Sequence, residues 1–247
     1  MGVLWSRLAA GLGEQVQWLF ESRVESIARP TAGRIAVTVA GPGGRRVLSC
    51  GRIVSTGRPE DLAVGLGRPD VAARLSQAVG RRDLLVGVVR VHHYPQDWHG
   101  YQWLYTHDAG VRAHRFNNFG EWQNLRCPPG VIGLEYTVPA GDSFDVRTAA
   151  EHDMDILVGP GAFEFLGAEA ARDAYANFDA AGGEFDLLDD ALRRFGDGII
   201  STGRQGAGVY INLDQAIRLG TRVAGMPDDQ AGVVGRAEYS SYQERMR

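Results

Sequence analysis

Strand patterns dominate the first sixty residues after one helical segment. Apolar positions over residues 4–12 recur at helical spacing and predict an amphipathic helix. Ile35, Val37 and Val39 alternate with small or polar residues, as expected of a half-buried strand, and residues 41–44 form a glycine-rich turn. The predicted extended segments are 16–20, 24–27, 35–39, 46–49 and 52–56. These segments indicate a β-meander that leads into a buried strand.

The middle of the chain alternates between helical and strand patterns. Val71, Leu75 and Val79 share one face of a predicted helix that begins at Pro69. Four strand patterns then indicate one antiparallel sheet, at 84–93, 101–106, 111–116 and 131–138. Helical periodicity returns in two segments, 146–166 with a break at 159–161, and 187–195. We therefore expect an antiparallel sheet bracketed by helices.

A strand, a glycine-rich loop and a helix follow one another near the end of the chain. Ile199 and Ile200 lie in a short apolar strand, residues 203–208 form the loop, and Asn212 precedes the helix. Such a loop places backbone N–H groups and the positive end of a helix dipole at one point, which suits a phosphate or a pyrophosphate. An ordinary strand-to-helix turn with Asn212 as its N-cap explains the same residues, so spacing alone leaves both interpretations open.

Composition excludes several classes of function. A formal charge of −4 and a pI near 5.9 provide no broad basic field, so nucleic acid is not an expected partner. No apolar run is long enough to cross a bilayer, and Cys50 and Cys127 stand far apart. We therefore expect a cytoplasmic protein without a disulfide framework or a metal site. All 26 basic residues are arginine, so no lysine is present to form a Schiff base.

The glycine-rich segment also carries a family resemblance. Ser-Thr-Gly-Arg-Gln-Gly at 201–206, followed by Tyr210, Asn212, Asp214 and Ile217, resembles the C-terminal flavin motif of FAD-dependent oxidoreductases of the amine-oxidase superfamily. Within that superfamily the resemblance is to UDP-galactopyranose mutase and protoporphyrinogen-oxidase-like proteins. Other segments resemble the family in the same order, namely 4–12 with 24–27, 53–56, and 115–122 with 133–136. The resemblance thus covers nearly the whole chain.

The resemblance implies an α/β fold, in which a partial FAD-binding layer carries an inserted α+β substrate domain built on an antiparallel sheet. It places the FAD-binding layer at 1–60 and 197–227, the substrate domain at 61–196 and a polar tail at 228–247. The implied cofactor is FAD. The residues that it places against FAD are Val24, Gly203, Arg204, Gly206, Tyr210, Asn212, Leu213 and Asp214.

One part of the family pattern is missing. Family members begin with a strand and a G-x-G-x-x-G loop that binds the ADP part of FAD, and this sequence has no such fingerprint. We therefore expect the C-terminal component of an FAD-dependent oxidoreductase of a small organic substrate, completed by a nucleotide-binding half on another chain or lost from this sequence. Without that half, an apolar surface should be exposed around Ile53, Val54, Ile199, Ile200 and the helix after Asp214.

Candidate substrate residues lie in the predicted antiparallel sheet, namely Arg112, Arg115, Asn117, Trp122 and Tyr136. On the predicted strand 111–116, Arg112 and His114 share a face that could hold an anionic substrate or be solvated. Aromatic residues of this region either form a pocket wall or pack as cross-strand pairs. No nucleophile or general base stands out, so no catalytic residue is predicted.

Two alternatives to the oxidoreductase remain open at this stage. One is a flavin-dependent nucleotide-sugar mutase relative, an isomerase, in which Arg112 and Arg115 would face a diphosphate. The other is a non-catalytic remnant that binds a partner protein through the surface that the missing half would cover.

Overall fold

Two compact units make up the chain. The computed structural model describes residues 2–31, 33–122, 127–128, 130–178 and 181–239. Unit 1 comprises residues 1–78 and 181–247, and unit 2 comprises residues 79–180. Unit 1 is therefore built from both ends of the chain, with unit 2 inserted between them.

Seven α-helices and eleven strands lie in the described residues. The helices are α1 (Gly2–Leu12), α2 (Pro59–Gly65), α3 (Pro69–Ala78), α4 (Val146–Leu157), α5 (Gly182–Phe195), α6 (Gly203–Gly206) and α7 (Leu213–Ala224). The strands are β1 (Arg23–Thr31), β2 (Arg34–Gly41), β3 (Gly44–Cys50), β4 (Ile53–Ser55), β5 (Gly80–Val91), β6 (Trp103–Leu104), β7 (Arg115–Asn118), β8 (Val131–Pro139), β9 (Phe163–Asn177), β10 (Ile199–Ser201) and β11 (Gly232–Val233). Short 3₁₀ turns lie at Gly13–Gln15, Gln96–Trp98 and Phe119–Glu121.

Unit 1 contains two small sheets. Strands β1, β2 and β3 form an antiparallel meander in which Ile35, Val37 and Val39 are buried, as their alternation predicts. Strands β11, β10 and β4 form a parallel sheet in that order. The side chains of Ile199 and Ile200 on the central strand β10 are fully buried. The strand that leads into the glycine-rich turn is therefore anchored on both sides.

Unit 2 is a five-stranded antiparallel sheet in the order β6-β7-β8-β5-β9. Helix α4 packs against β5 and β9, and its Met154 shares a core with Leu134 and Tyr136 of β8. Because side chains alternate along a strand, Glu135 and Thr137 of β8 point to the opposite face. One face of the sheet is therefore apolar core, and the other, here called the polar face, carries Glu135.

Strand β9 contradicts the helix predicted up to residue 166. Its ladder with β5 runs from Asn177 opposite Gly80 to Phe163 opposite Val91. The overlap covers residues 163–166, where pairing with the end of β5 outweighs the helical spacing of the apolar residues. The other strand predictions over 101–116 also shorten, because β6 covers two residues and β7 begins at Arg115.

The boundaries at residues 60 and 197 also differ from those of the two units. Helices α2, α3 and α5 belong to unit 1, where α2 packs with β1 and α3 packs with α5. Their apolar faces therefore cover one another and the meander.

Residues 228–239 are not a loose polar tail. Strand β11 pairs with β10, and Tyr239 packs in the cluster of Leu219 and Val223. Residues 240–247 of the predicted tail lie outside the described residues. The expected apolar surface is reduced because Ile199 and Ile200 are buried, although Val54 and Ile217 are 46% and 58% exposed.

Candidate functional site

The glycine-rich segment between β10 and α7 is a compact helical turn. Backbone N–H groups of residues 207–209 donate to carbonyl oxygens of residues 203–205 at 3.0 to 3.1 Å. The Ser201 hydroxyl donates to the Gly206 carbonyl at 2.8 Å. The Arg236 guanidinium donates to the carbonyls of Gly208 at 2.9 Å and Ala207 at 3.4 Å. Each carbonyl oxygen from 203 to 208 thus accepts a hydrogen bond within unit 1.

The protein's own packing explains the glycines of this turn. Gly203 and Gly208 have positive φ angles of 76° and 61°, where a side chain is strained. A Cβ on Gly206 would lie 2.8 Å from the Ser55 carbonyl oxygen, and one on Gly208 would overlap the Phe185 ring. A bound ligand is therefore not needed to explain why glycine occupies positions 206 and 208.

The remaining predicted FAD contacts cluster at the start of α7. The Arg204 guanidinium lies 3.9 Å over the ring of Tyr210, so this side chain does have a packing role. Asn212 is the N-cap of α7, and its backbone N–H donates to the Gln215 side chain at 2.8 Å. Leu213 and Asp214 follow in the first turn, and Asp214 is 3.9 Å from Arg218. Both side chains are exposed.

Val24 lies apart from these residues in the sequence, on strand β1 of the meander. Its side chain is exposed, and its methyl group approaches the position of Gly65 in α2. The structure gives no contact between Val24 and the turn before α7, so its predicted FAD contact stays a prediction.

The polar face of unit 2 is organised around Glu135. Arg115 Nε donates to its Oε2 at 2.9 Å, and Asn117 Nδ2 donates to its Oε1. Burial disfavours the charged form of Arg115, but hydrogen bonds to Glu135 and Tyr105 outweigh it and raise the pKa of the guanidinium. Arg115 is therefore already paired with Glu135, and its predicted substrate contact stays a prediction.

His114 borders the same cluster. Its Nε2 is 3.9 Å from Glu135 Oε2 and 3.5 Å from the Thr137 hydroxyl. Burial lowers the pKa of His114 below the ordinary value, and the Glu135 carboxylate opposes that shift only in part. His114 is therefore mostly neutral at pH 7.

An aromatic group lies beside these polar residues. The rings of Trp103 and Trp122 meet edge to face with centroids 5.3 Å apart, and Trp122 Nε1 donates to the Gln102 carbonyl at 3.3 Å. Phe119 lies over Gly133, where an added Cβ would be 2.9 Å from its ring. Trp122 thus lies with Arg115 and Asn117 at the polar face, and the substrate contacts of all three stay predictions.

Tyr136 and Arg112 belong elsewhere. The Tyr136 hydroxyl donates to the buried Asp153 carboxylate at 3.1 Å, on the core face of β8. The same carboxylate accepts from the backbone N–H groups of Arg112 and Ala113 at 3.0 and 2.8 Å. Residues 112–113 are thus tied to α4 before β7 begins, and the contact of Arg112 and Arg115 with a diphosphate in the mutase alternative stays a prediction. Tyr136 is buried in the core of unit 2, and its predicted substrate contact stays a prediction.

Three functional candidates escaped the sequence analysis. Glu135 lies in a predicted strand, and its alternation with apolar neighbours was the available signal. Asp153 and Arg236 have no comparable signal, because their partners are 17, 40 and 41 residues away for Asp153 and 28 and 29 residues away for Arg236. Only tertiary structure brings these groups together.

Comparison with solved structures gives the fold a context. UDP-galactopyranose mutase in its reduced form superposes with a TM-score of 0.63 at 18% identity, over 86% of this chain and 49% of that chain. The two chains share a fold. A protein assigned as a protoporphyrinogen oxidase from Exiguobacterium sp. 255-15 has a TM-score of 0.59 at 15% identity, over 80% of this chain and 44% of that one. A CLA-producing fatty acid isomerase from P. acnes has a TM-score of 0.51 at 14% identity, over 78% of this chain and 44% of that one.

These similarities establish an α/β fold of the flavoprotein type, as the sequence predicts. This chain spans about half the length of the structures that it matches. No protein-family model matches the sequence, and no curated protein matches it.

Two searches of the described residues bear on other functions. Among them, no group of three or more histidine, cysteine, aspartate or glutamate side chains is arranged to hold a metal ion. None of the described helices is long and apolar enough to cross a membrane.

Proposed function

We propose that this chain is the C-terminal component of an FAD-dependent oxidoreductase that acts on a small organic substrate. The observation that carries the proposal is the unit formed by β10, the compact turn and α7, in a flavoprotein-type fold that covers 86% of the chain. When bound, FAD would supply the redox chemistry, and the protein would bind and orient its partners.

The residues at the start of α7 fit one end of FAD. This helix has 12 residues, so its N-terminus carries the positive end of a substantial dipole beside the backbone N–H groups of Leu213 and Asp214. The exposed Asp214 carboxylate can accept hydrogen bonds from ribityl hydroxyls, and Arg204 adds positive charge to the turn. These groups suit the ribityl and pyrophosphate portions. Val24 remains the proposed contact for adenine.

The polar face of unit 2 is the proposed substrate surface. Arg115 and Glu135 neutralise one another, and His114 is mostly neutral at pH 7. Trp103, which is 48% exposed, and Trp122 add flat apolar area beside them. This combination favours an uncharged, planar substrate over an anion.

The outer edge of β4, the last strand of its sheet in the part of the chain that the structure describes, is the proposed contact for a nucleotide-binding partner chain. The Ile53 N–H donates to the Gly198 carbonyl, and the Ser55 carbonyl accepts from the Thr202 N–H, so both groups point to the β10 side. The N–H and carbonyl of Val54, between them, point to the opposite edge. A further parallel strand that paired with this edge would extend the three-stranded parallel sheet. Val54→Pro, which removes that N–H, should abolish complex formation with a G-x-G-x-x-G partner in size-exclusion chromatography. Retained complex would contradict this placement.

The test of the flavin site is an FAD titration of ¹⁵N-labelled protein followed by NMR. The amides of Leu213, Asp214 and residues 203–206 should shift, and residues of β3 should not. Asp214→Ala and Arg204→Ala should weaken binding about three- to tenfold, because each removes about one hydrogen bond or charge contact. Their unfolding midpoints should match that of Asp190→Ala, the matched control, since Asp190 forms an equivalent exposed i,i+4 pair with Arg194.

The outcome separates the remaining alternatives. An FAD titration that leaves the amides of 203–214 unchanged at millimolar ligand would remove the flavin site from this turn and favour a partner-binding remnant. Variants that unfold outright would assign Arg204 and Asp214 to structure.

A further inference from the structure

The segment after α7 reaches back to the turn at which we place the flavin. Strand β11 pairs with β10, the Val234 N–H donates to the Ser201 carbonyl at 2.9 Å, and Thr202 Oγ1 donates to the Val234 carbonyl at 3.1 Å. The Asp189 carboxylate of α5 accepts from the Val233 N–H at 2.6 Å. These bonds hold the backbone just before Arg236 against the same strand that enters the turn.

The Arg236 side chain occupies a defined position there. Its guanidinium carbon lies 4.3 Å over the ring of Phe185, a fully buried residue of α5. From that position it donates to the Ala207 and Gly208 carbonyls. Gly208 permits this arrangement, since a Cβ there would meet both the Phe185 ring and, at 2.7 Å, the guanidinium.

The other carbonyls of the turn have donors from within residues 201–209, whereas the last two receive theirs from Arg236. The peptide groups of 207 and 208 are the ones that direct the chain out of α6 toward Tyr210, Asn212 and α7. Arg236 thus fixes the exit of the turn. Burial lowers the pKa of this guanidinium, while the charge of Asp186 opposes the shift.

We propose that Arg236 is a positioning residue for the flavin site, a role that rests on the function proposed above. It would not touch FAD. It orients the peptide groups of residues 207 and 208. These peptide groups set the direction of the chain that follows, and so the position of Asn212, Leu213 and Asp214 relative to the cofactor. The C-terminal segment is on this view part of the binding site.

Arg236→Ala tests the proposal in the full chain by the same FAD titration. We expect FAD affinity to fall at least about tenfold, and about 30 mM guanidinium to restore it to within about threefold of the parent value, whereas 30 mM NaCl should not. Rescue is expected because the vacated space between Phe185 and the two carbonyls matches a planar cation. Arg194→Ala, an exposed arginine of α5, is the control and should bind FAD like the parent.

Each result is decisive. If the parent protein shows no FAD-dependent shifts at 203–214, the proposed function fails first, independently of Arg236. If the parent binds and Arg236→Ala binds within twofold of it, the positioning role is overturned. Weakened binding that guanidinium does not restore shows a merely structural residue and also overturns it.

Arg236→Lys covers the case in which the alanine variant does not fold. Lysine keeps the charge and one donor but cannot lie flat on Phe185 or serve both carbonyls in the same geometry. Its FAD affinity should fall at least about threefold with the unfolding midpoint preserved. Parent-like affinity of Arg236→Lys would contradict the proposal.

Discussion

Removing the Asp153 carboxylate should destabilise unit 2 strongly, because three groups of the chain donate to it. Asp153 is fully buried and accepts from Arg112 N, Ala113 N and the Tyr136 hydroxyl. In Asp153→Ala, the Ala113 N–H and the Tyr136 hydroxyl lose their acceptor in a buried environment. Each unsatisfied buried group costs about 1–3 kcal/mol, so we expect a loss of about 3 kcal/mol in unfolding free energy. For a chain of this size, that loss lowers the midpoint by roughly 6–12 °C.

Urea unfolding followed by tryptophan fluorescence measures this loss, since Trp98, Trp103 and Trp122 all lie in unit 2. Asp155→Ala, an exposed residue of the same helix, is the control and should change stability by less than about 0.5 kcal/mol. Tyr136→Phe should cost about 1 kcal/mol. The double variant should lose less than the sum of the two single losses, because no hydroxyl is then left without an acceptor. Additive losses, or an Asp153→Ala protein as stable as the Asp155→Ala control, would refute this account.

Two further predictions concern the turn and the acid stability. Gly208→Ala should lower the free energy of unfolding by about 2–4 kcal/mol, because position 208 has a positive φ and its Cβ would overlap Phe185. Gly220→Ala on the open face of α7 is the control and should leave the thermal unfolding midpoint unchanged or raise it. Equal midpoints for the two variants would contradict the packing described. Asp83 has a lowered pKa, mainly because the Asp173 N–H and then Arg172 stabilise its carboxylate. A lowered folded-state pKa means that its stabilisation is complete above the unfolded-state pKa near 3.9 and is lost as the pH falls below it. Asp83→Asn should therefore flatten the acid limb of a stability profile below about pH 4, and an unchanged limb would count against it.

The local patterns that the sequence carries account for much of unit 1. The alternation of Ile35, Val37 and Val39 predicts β2, and the apolar strand before a glycine-rich turn and an N-cap predicts β10 and α7. These elements are readable because their own residues dictate them. The reason for two of the glycines was not predictable, because a Cβ on Gly206 or Gly208 would clash with Ser55 or Phe185, which are distant in sequence.

Elements that depend on distant partners were not predictable in the same way. Residues 163–166 continue a helical pattern in the sequence, but they form strand because β5 offers a long pairing edge. Arg112 and Arg115, which the mutase alternative places against a diphosphate, have different partners that the sequence does not reveal. Glu135 neutralises Arg115, and Asp153 holds the backbone of Arg112. The charge state of the candidate substrate surface therefore depends on partners from other strands and helices, which the sequence does not show.

The discontinuity of unit 1 sets an order on its folding during synthesis. Strand β4 ends at residue 55, and its partner β10 begins at residue 199, so the parallel sheet cannot close until most of the chain has left the ribosome. At about 5–20 residues per second, the nascent β4 edge waits on the order of ten seconds or more. All strands of unit 2 emerge during that wait, so its sheet can form first. Until β10 emerges, the unpaired edge of β4 is open to aggregation. We therefore expect protection by a chaperone, or by fast folding of unit 2, to matter most during this interval.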